Sequence, residues 1–442
     1  MSKRLPIVAM ATVMALTLTP PVAFADSKGC IVQGFEDTPD PAVSVYTGGN
    51  LTIKTMGESE GTMVVDGNIV NTNGTPTTIS GKAIWGMGYY APAEATNLAV
   101  GGNVSNTGVS VYSGGNTRVG GYAEKLKPNT TKVAIENHHT DWEWMYRVRD
   151  GNYTVRTNLG KTQALQVDTD GDGKTDLDYN NYVSKTLIPL SDNLMKLPTT
   201  GTVTYGRAKD VPNLGWGVAY RNPLNPNDKR ANPYRKVTIK NEGLLIFTGD
   251  GQNHRQVFTL DANTVAGKAI ELGTNKGWSL DFRNIPDGQA IIINVTGSPS
   301  INWYPGWRVY VNGVDYSTAV NKRDQSLSRY RSIASRIMWN YPYASNLRLN
   351  GGPIYQYSSD DGATGNWYVG GTESGQTNDG VLFPGSILLP RGSFYDIADT
   401  NGRILVGKDL TFNIWEHHNA PWVGFDEPQC FAVNGKTTAS LS

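Results

Sequence analysis

The stretch GTMVVDGNIV, Gly61 to Val70, decides how this chain reads. A short apolar run, Met63 to Val65, meets the punctuation Asp66-Gly67-Asn68 and gives way to a second short run at Ile69-Val70. The same beat returns in NLAVGGNV (Asn97 to Val104) and SVYSGGNTRVGGYA (Ser110 to Ala123). It stops, then resumes far downstream in GSILLPRGSFYDIADTNGRILVGKDL (Gly385 to Leu410). Runs this short cannot bury a face alone, but stacked coil on coil they share one elongated core. The pattern predicts a mainly β chain folded as a discontinuous β-solenoid, against the plainer alternative of a β-sandwich with hairpin turns. The corners Gly48-Gly49-Asn50, Asp66-Gly67-Asn68, Gly101-Gly102-Asn103 and Gly114-Gly115-Asn116 are expected to supply positive φ. Alternation in Met63-Val64-Val65 suggests strands with one buried face.

Outward from these blocks the organisation is one domain over 26–442. It comprises a first strand block at 26–123, an insertion at 124–200, the remaining strands over 201–430 and a tail at 431–442. Within the insertion, an aromatic segment, DWEWMYRVRDGNYTV, suggests a hairpin turning at Arg149 to Asn152. Val183, Leu187, Leu190, Leu194 and Leu197 then share one helical face, which predicts an amphipathic helix with Pro189 as a kink or first-turn residue. Downstream, the apolar run in AIIINVTG predicts a strand buried on both faces.

Residues 1–25 read as a secretory leader: Lys3 and Arg4, an apolar stretch from Leu5, and an exit site at Ala23-Phe24-Ala25. No later run approaches membrane length, so no membrane insertion is expected. The 39 basic and 39 acidic residues balance, and no basic stripe of the kind nucleic acid requires is evident. The 50 Gly, 22 Tyr and 11 Trp fit a turn-rich, aromatic β chain. In an oxidising compartment the two cysteines, Cys30 and Cys430, are expected to form one disulfide, with two free thiols as the alternative.

Taken in order, these stretches resemble the bacterial choice-of-anchor A domain family. The matching pieces are GTMVVDGNIV, NLAVGGNV, the helix with Leu190-Ser191 and Leu194, QVFTLDA, IPDGQAIIINVTG, IMWNYPYASNL, FPGSILLPRGSF, and NGRILVGKDL running into EHHNAPWVGF. The resemblance implies a right-handed β-helix with a helix packed along it, similar in outline to bacterial ice-binding proteins. It also implies a secreted, envelope-associated adhesin-like role. Family members usually carry a separate anchoring tail, and Phe431 to Ser442 contains no sorting motif.

The sharpest chemical motif is DTDGDGKTD. Asp168, Asp170, Asp172, Gly173 and Asp176 occupy the first, third, fifth, sixth and ninth places of a calcium loop. Lys174 offers its carbonyl at the seventh, and Asp178 stands in for the acidic residue that Tyr179 displaces at the twelfth. The expected cofactor is a structural calcium ion, and the alternative is a solvated acidic turn. His138-His139 and Glu416-His417-His418 could together supply transition-metal ligands, but a buried, hydrogen-bonded histidine near the end of the stack fits the latter better. Trp303, Tyr304 and Trp307 around a Pro-Gly turn are the best candidates for a ligand-binding surface, although aromatic clusters more often fill corners. The expected partner is an extracellular protein or glycan. No nucleophile motif is present. Catalysis on a polysaccharide, using carboxylates such as Asp141, Glu143 and Asp281, is one alternative reading. Ice binding is a weaker one, because Thr is scattered in the sequence.

Overall fold

Three parallel sheets organise the chain in the computed structural model, and its strands enter them in rotation. Val45–Thr47 joins a ten-stranded sheet (sheet A), Leu51–Thr55 a seven-stranded sheet (sheet B) and Glu58–Ser59 a second seven-stranded sheet (sheet C). Met63–Val65, Ile69–Asn71 and Thr77–Ile79 repeat the order, as do Thr96–Val100, Val104–Asn106 and Val109–Val111. Late in the chain Ile404–Val406, Leu410–Asn413 and Glu416–His418 again take A, B and C. The first and last rotations lie side by side in all three sheets, with Val45 opposite Ile404, Leu51 opposite Leu410 and Glu58 opposite Glu416. The early and late blocks therefore share one set of sheets. A five-stranded sheet (sheet D) contains Gly243–Thr248, Trp278–Arg283 and Pro305–Val311 in parallel, with Thr202–Arg207 antiparallel at one edge.

The structure describes residues 43–56, 58–72, 77–79, 95–106, 109–111, 116–124, 127–128, 154–211, 216–219, 235–238, 242–274, 277–316, 330, 332–351, 354–359, 364–368, 383–414 and 416–425. All of them fall in one compact unit, Gly34–Pro428. The leader, Cys30, Cys430, His138-His139, Asp141, Glu143, the aromatic run at 142–146 and the turn at 149–152 lie outside the described residues.

The corner glycines serve a purpose other than the one expected. None of Gly48, Gly49, Gly67, Gly101 or Gly102 has positive φ. Their constraint is close approach between successive rotations. A Cβ on Gly67 would lie 2.6 Å from the Gly49 carbonyl oxygen, and one on Gly101 2.3 Å from that of Asp66. The asparagines beside them form a ladder: Asn68 N–H donates to Asn50 Oδ1 at 2.9 Å and Asn103 N–H to Asn68 Oδ1 at 2.8 Å. Asp409 closes it at the junction, accepting from Asn50 N–H at 2.8 Å. Each side chain thus satisfies a corner amide of the next rotation that no strand ladder reaches.

Inside the sheets, Val45, Leu51, Met63, Leu98, Ile291, Trp339 and Phe412 belong to one continuous apolar cluster. Ile291–Thr296 is buried on both faces except at its last residue, as the apolar run predicts. Met63-Val64-Val65 departs from the one-faced expectation, since all three are buried. The cause is a cover over sheet A. A π-helical turn, Val183–Leu187, leads into the helix Ile188–Lys196, which buries Leu187, Leu190 and Leu194. Pro189 sits in its first turn, where its missing N–H costs no helical bond. Ser191 Oγ donates to Asn340 Oδ1 at 2.5 Å, and Asn294 Nδ2 to the Leu194 carbonyl at 3.0 Å, so polar bonds fix the helix to the sheet. A second helix, Ala262–Glu271, follows the strand Gln256–Asp261 directly. Asp261 caps it by accepting from Thr264 N–H at 2.7 Å.

Candidate binding face

The outer faces of the three rotating sheets differ in access. On sheet A the outer rank that includes Val64, Ala99, Tyr46, Leu405 and Leu388 is fully buried. Tyr179 and Tyr182 pack against Tyr46 at ring distances of 5.9 and 4.9 Å. On sheet C, Thr400, Asn401, His417 and His418 are all buried, so both faces of these strands are closed. Sheet B alternates. Leu51, Ile69, Val104, Leu347, Phe394 and Leu410 point into the core, while the residues that follow them point out.

Those outward residues stand in register. Asn302, Arg348, Tyr395, Thr411, Thr52, Val70 and Ser105 oppose one another across seven consecutive strands. Strand spacing places them about 4.8 Å apart. Asn302 is exposed and the other six are half-buried. Beside them, at the corner, run Ser300, Asn346, Ser393, Asp409, Asn50, Asn68 and Asn103, set back by two residues or about 6.7 Å along each strand. At the centre, Arg348 lies over the Tyr395 ring at 4.5 Å and Lys54 at 5.1 Å, and Lys54 Nζ is 3.3 Å from the Tyr395 hydroxyl. Arg348 Nε also donates to Asn350 Oδ1 at 2.7 Å. The result is a largely polar face: a corner rank rich in Asn, hydroxyls of Tyr395, Thr411 and Thr52 at strand spacing, and two cations at the Tyr395 ring.

Sequence reasoning missed this face. Its signal is the tripeptide after each corner: Asn50-Leu51-Thr52, Asn68-Ile69-Val70, Asn103-Val104-Ser105 and Asp409-Leu410-Thr411. Aligning the corners exposes the outward third position.

The aromatic candidates are corrected. Trp303 is 2% exposed and lies in the core, its ring 5.3 Å from Trp339 and 6.4 Å from Phe383. Pro305-Gly306 forms no projecting turn, because Pro305–Val311 is a strand of sheet D. A Cβ on Gly306 would meet the Ser279 amide nitrogen at 2.2 Å. Tyr304 is half-buried, and its carbonyl accepts from Trp278 N–H at 3.0 Å. The side chain of Trp307 lies outside the described residues.

The acidic loop converges in part. Gln166–Val167 and Leu177–Asp178 pair antiparallel around it, and Gly171 and Gly173 take φ of 87° and 85°. Carboxylate oxygens of Asp168, Asp170 and Asp176 lie within 4.8 Å of one another. The other three named residues are engaged elsewhere. Asp172 meets Lys174 Nζ at 2.6 Å, which holds its carboxyl below the usual range, and Asp178 accepts from Asn180 Nδ2 at 2.6 Å. Hydrogen bonds from Thr169 likewise lower Asp176. Tyr179, at the twelfth place, is fully buried.

His417 and His418 are both buried, at the seam between first and last rotations rather than at an end of the stack. His417 Nε2 is 2.8 Å from Ser44 Oγ, its Nδ1 is 2.8 Å from Thr400 Oγ1, and Thr400 Oγ1 is 3.5 Å from Asp396 Oδ2. The Ser44–His417 spacing matches a nucleophile and base, but both groups are sealed from solvent. Burial, aided by His418 and Arg403, pushes the His417 imidazole down to about 3, so it is neutral at pH 7. Burial, with Asp399 nearby, pushes the Asp396 carboxyl well up.

A family model described as "Putative Ice-binding-like adhesive domain" matches residues 44–358, well over half of the chain. The chain belongs to this family. No curated protein and no solved structure matches it. The ice-binding-like adhesive domain thus spans the first rotations, the helix over sheet A, sheet D and five of the seven sheet B strands. Its adhesive description agrees with binding to an external ligand. Among the described residues no helix is long and apolar enough to cross a membrane.

Proposed function

We infer that this protein is a secreted or cell-surface, adhesin-like binding protein that works by holding a ligand on the outer face of sheet B and not by catalysis. The observation that carries the reading is the in-register outer rank through Tyr395, Thr411 and Thr52, which among the described residues is half-buried where the outer rank of sheet A and the central strands of sheet C are buried. A right-handed β-solenoid interrupted by insertions accounts for the rotation of strands, since parallel crossovers favour that hand. Within the adhesive family, the ordered motifs from Gly61 to Phe425 support the narrower choice-of-anchor A likeness. The test is binding of the full chain to an array of extracellular matrix proteins, glycans and bacterial cell-wall material. Thr411→Trp places a bulky ring at the centre of the face and is expected to abolish the binding that the unaltered chain shows. Retained binding would move the site elsewhere. Thermal hysteresis that Thr411→Trp also removes would instead favour ice as the ligand, a second reading supported by the family description and by Thr52 and Thr411 standing side by side.

We propose a structural calcium ion at Asp168, Asp170 and Asp176, bracing the entry to the helix over sheet A. Three nearby carboxylates repel one another unless a cation offsets them. Asp168 also anchors the loop to sheet A, because its carbonyl accepts from Thr96 N–H at 2.7 Å. Chelation is expected to lower the melting temperature, and Asp170→Ala to remove that response. Identical melting curves with and without chelator would exclude the ion.

A further inference from the structure

The geometry points to an acidic polysaccharide, laid across the strands of sheet B, as the ligand of the adhesive face. This rests on the reading of that face as the binding site and goes further by naming the ligand's chemistry. Its outer rank presents the hydroxyls of Tyr395, Thr411 and Thr52 on three consecutive strands, about 4.8 Å apart, which is comparable to the rise of one unit in an extended polysaccharide. A repeating polymer can meet successive strands with equivalent groups, where a folded protein surface would not repeat. The charge is also directional. Lys54 and Arg348 flank Tyr395 at the centre of the face, both within about 5 Å of one ring. No carboxylate stands in the outer rank itself. Asp409, in the corner rank, is already engaged by the Asn50 amide. Both cations lie against the tyrosine ring, and Lys54 Nζ is also 3.3 Å from its hydroxyl. That arrangement suits a carboxylate on a sugar ring, flanked by hydroxyls that the neighbouring Thr52 and Thr411 can bond.

The experiment measures binding of the full chain to sodium polygalacturonate and to neutral dextran by affinity electrophoresis. Polygalacturonate is expected to retard the protein, dextran not, and the retardation to weaken with added salt. Lys54→Glu, on an exposed side chain, is expected to weaken polygalacturonate binding about tenfold or more without changing the melting curve. Lys209→Glu, an equal charge change after the Thr202–Arg207 strand of sheet D, should leave it unaltered. Equal retardation by dextran, or full binding by Lys54→Glu, overturns the proposal. If polygalacturonate fails while Thr411→Trp still abolishes binding to another array ligand, the acidic polysaccharide is excluded and the adhesive face stands. If Thr411→Trp abolishes nothing, the adhesive face fails with it.

Discussion

Trp339→Ala is expected to destabilise the protein by about 3–5 kcal/mol, measured by urea denaturation at neutral pH. The indole is fully buried in the sheet A strand Ile337–Asn340 and touches one ring each from sheets B, C and D. Phe247 of sheet D lies 6.4 Å away, Trp303 of sheet B 5.3 Å and Phe383 of sheet C 5.1 Å. Its Nε1 donates to the Pro384 carbonyl at 2.8 Å, so truncation also strands a buried acceptor. Close packing lets such a cavity collapse only partly. Trp303→Ala should behave similarly, losing stability before it loses binding, because Trp303 belongs to the same cluster. A loss near 1 kcal/mol at Trp339 would mean that the sheets do not meet at this residue.

Acidification from pH 7 to pH 4 is expected to withdraw about 3 kcal/mol of stability through His417 alone. The imidazole holds its proton only below about 3 in the folded chain, against 6.5 in the free side chain. Between those values the unfolded chain binds a proton that the folded chain refuses. The contribution is therefore complete above pH 6.5 and is lost as the pH falls toward 3. Asp396 acts with the opposite sign. Its folded carboxyl stays protonated above the ordinary 3.8, so its contribution is present below 3.8 and is lost as the pH rises through its raised value. The two are separated by comparing the chain with His417→Gln. That variant is less stable at pH 7 by about 1–3 kcal/mol, because Ser44 and Thr400 lose a partner. Its loss between pH 7 and pH 4 should be smaller than that of the unaltered chain by the His417 amount. Equal losses in both chains would show that His417 takes up its proton in place.

The beat of corners is a local property, and it was legible, whereas the one-faced burial expected of Met63-Val64-Val65 was not met. The short strands of Gly61 to Val70 and Gly385 to Leu410, the buried run at Ile291 and the amphipathic helix were all visible as patterns of neighbours along the chain. Trp303 was misread because a Pro-Gly pair usually turns, yet here it begins a strand of sheet D, and the Trp303 ring packs on Trp339 in the core. The calcium loop was half legible: spacing identified the carboxylates, but Lys174 and Asn180 compete for two of them.

The short strands, the buried run at Ile291 and the positions of the corners follow from the residues alone, since each depends on side chains a few positions apart. Which face is open is not local. Thr52 and Thr411 are neighbours only because the chain's first and last rotations pair, and sheet A is covered by a segment from the middle of the chain, Tyr179 and Tyr182 over Tyr46 and the following helix over Asn294 and Asn340. Both are contacts between residues far apart in sequence, so the binding face exists only in the folded arrangement.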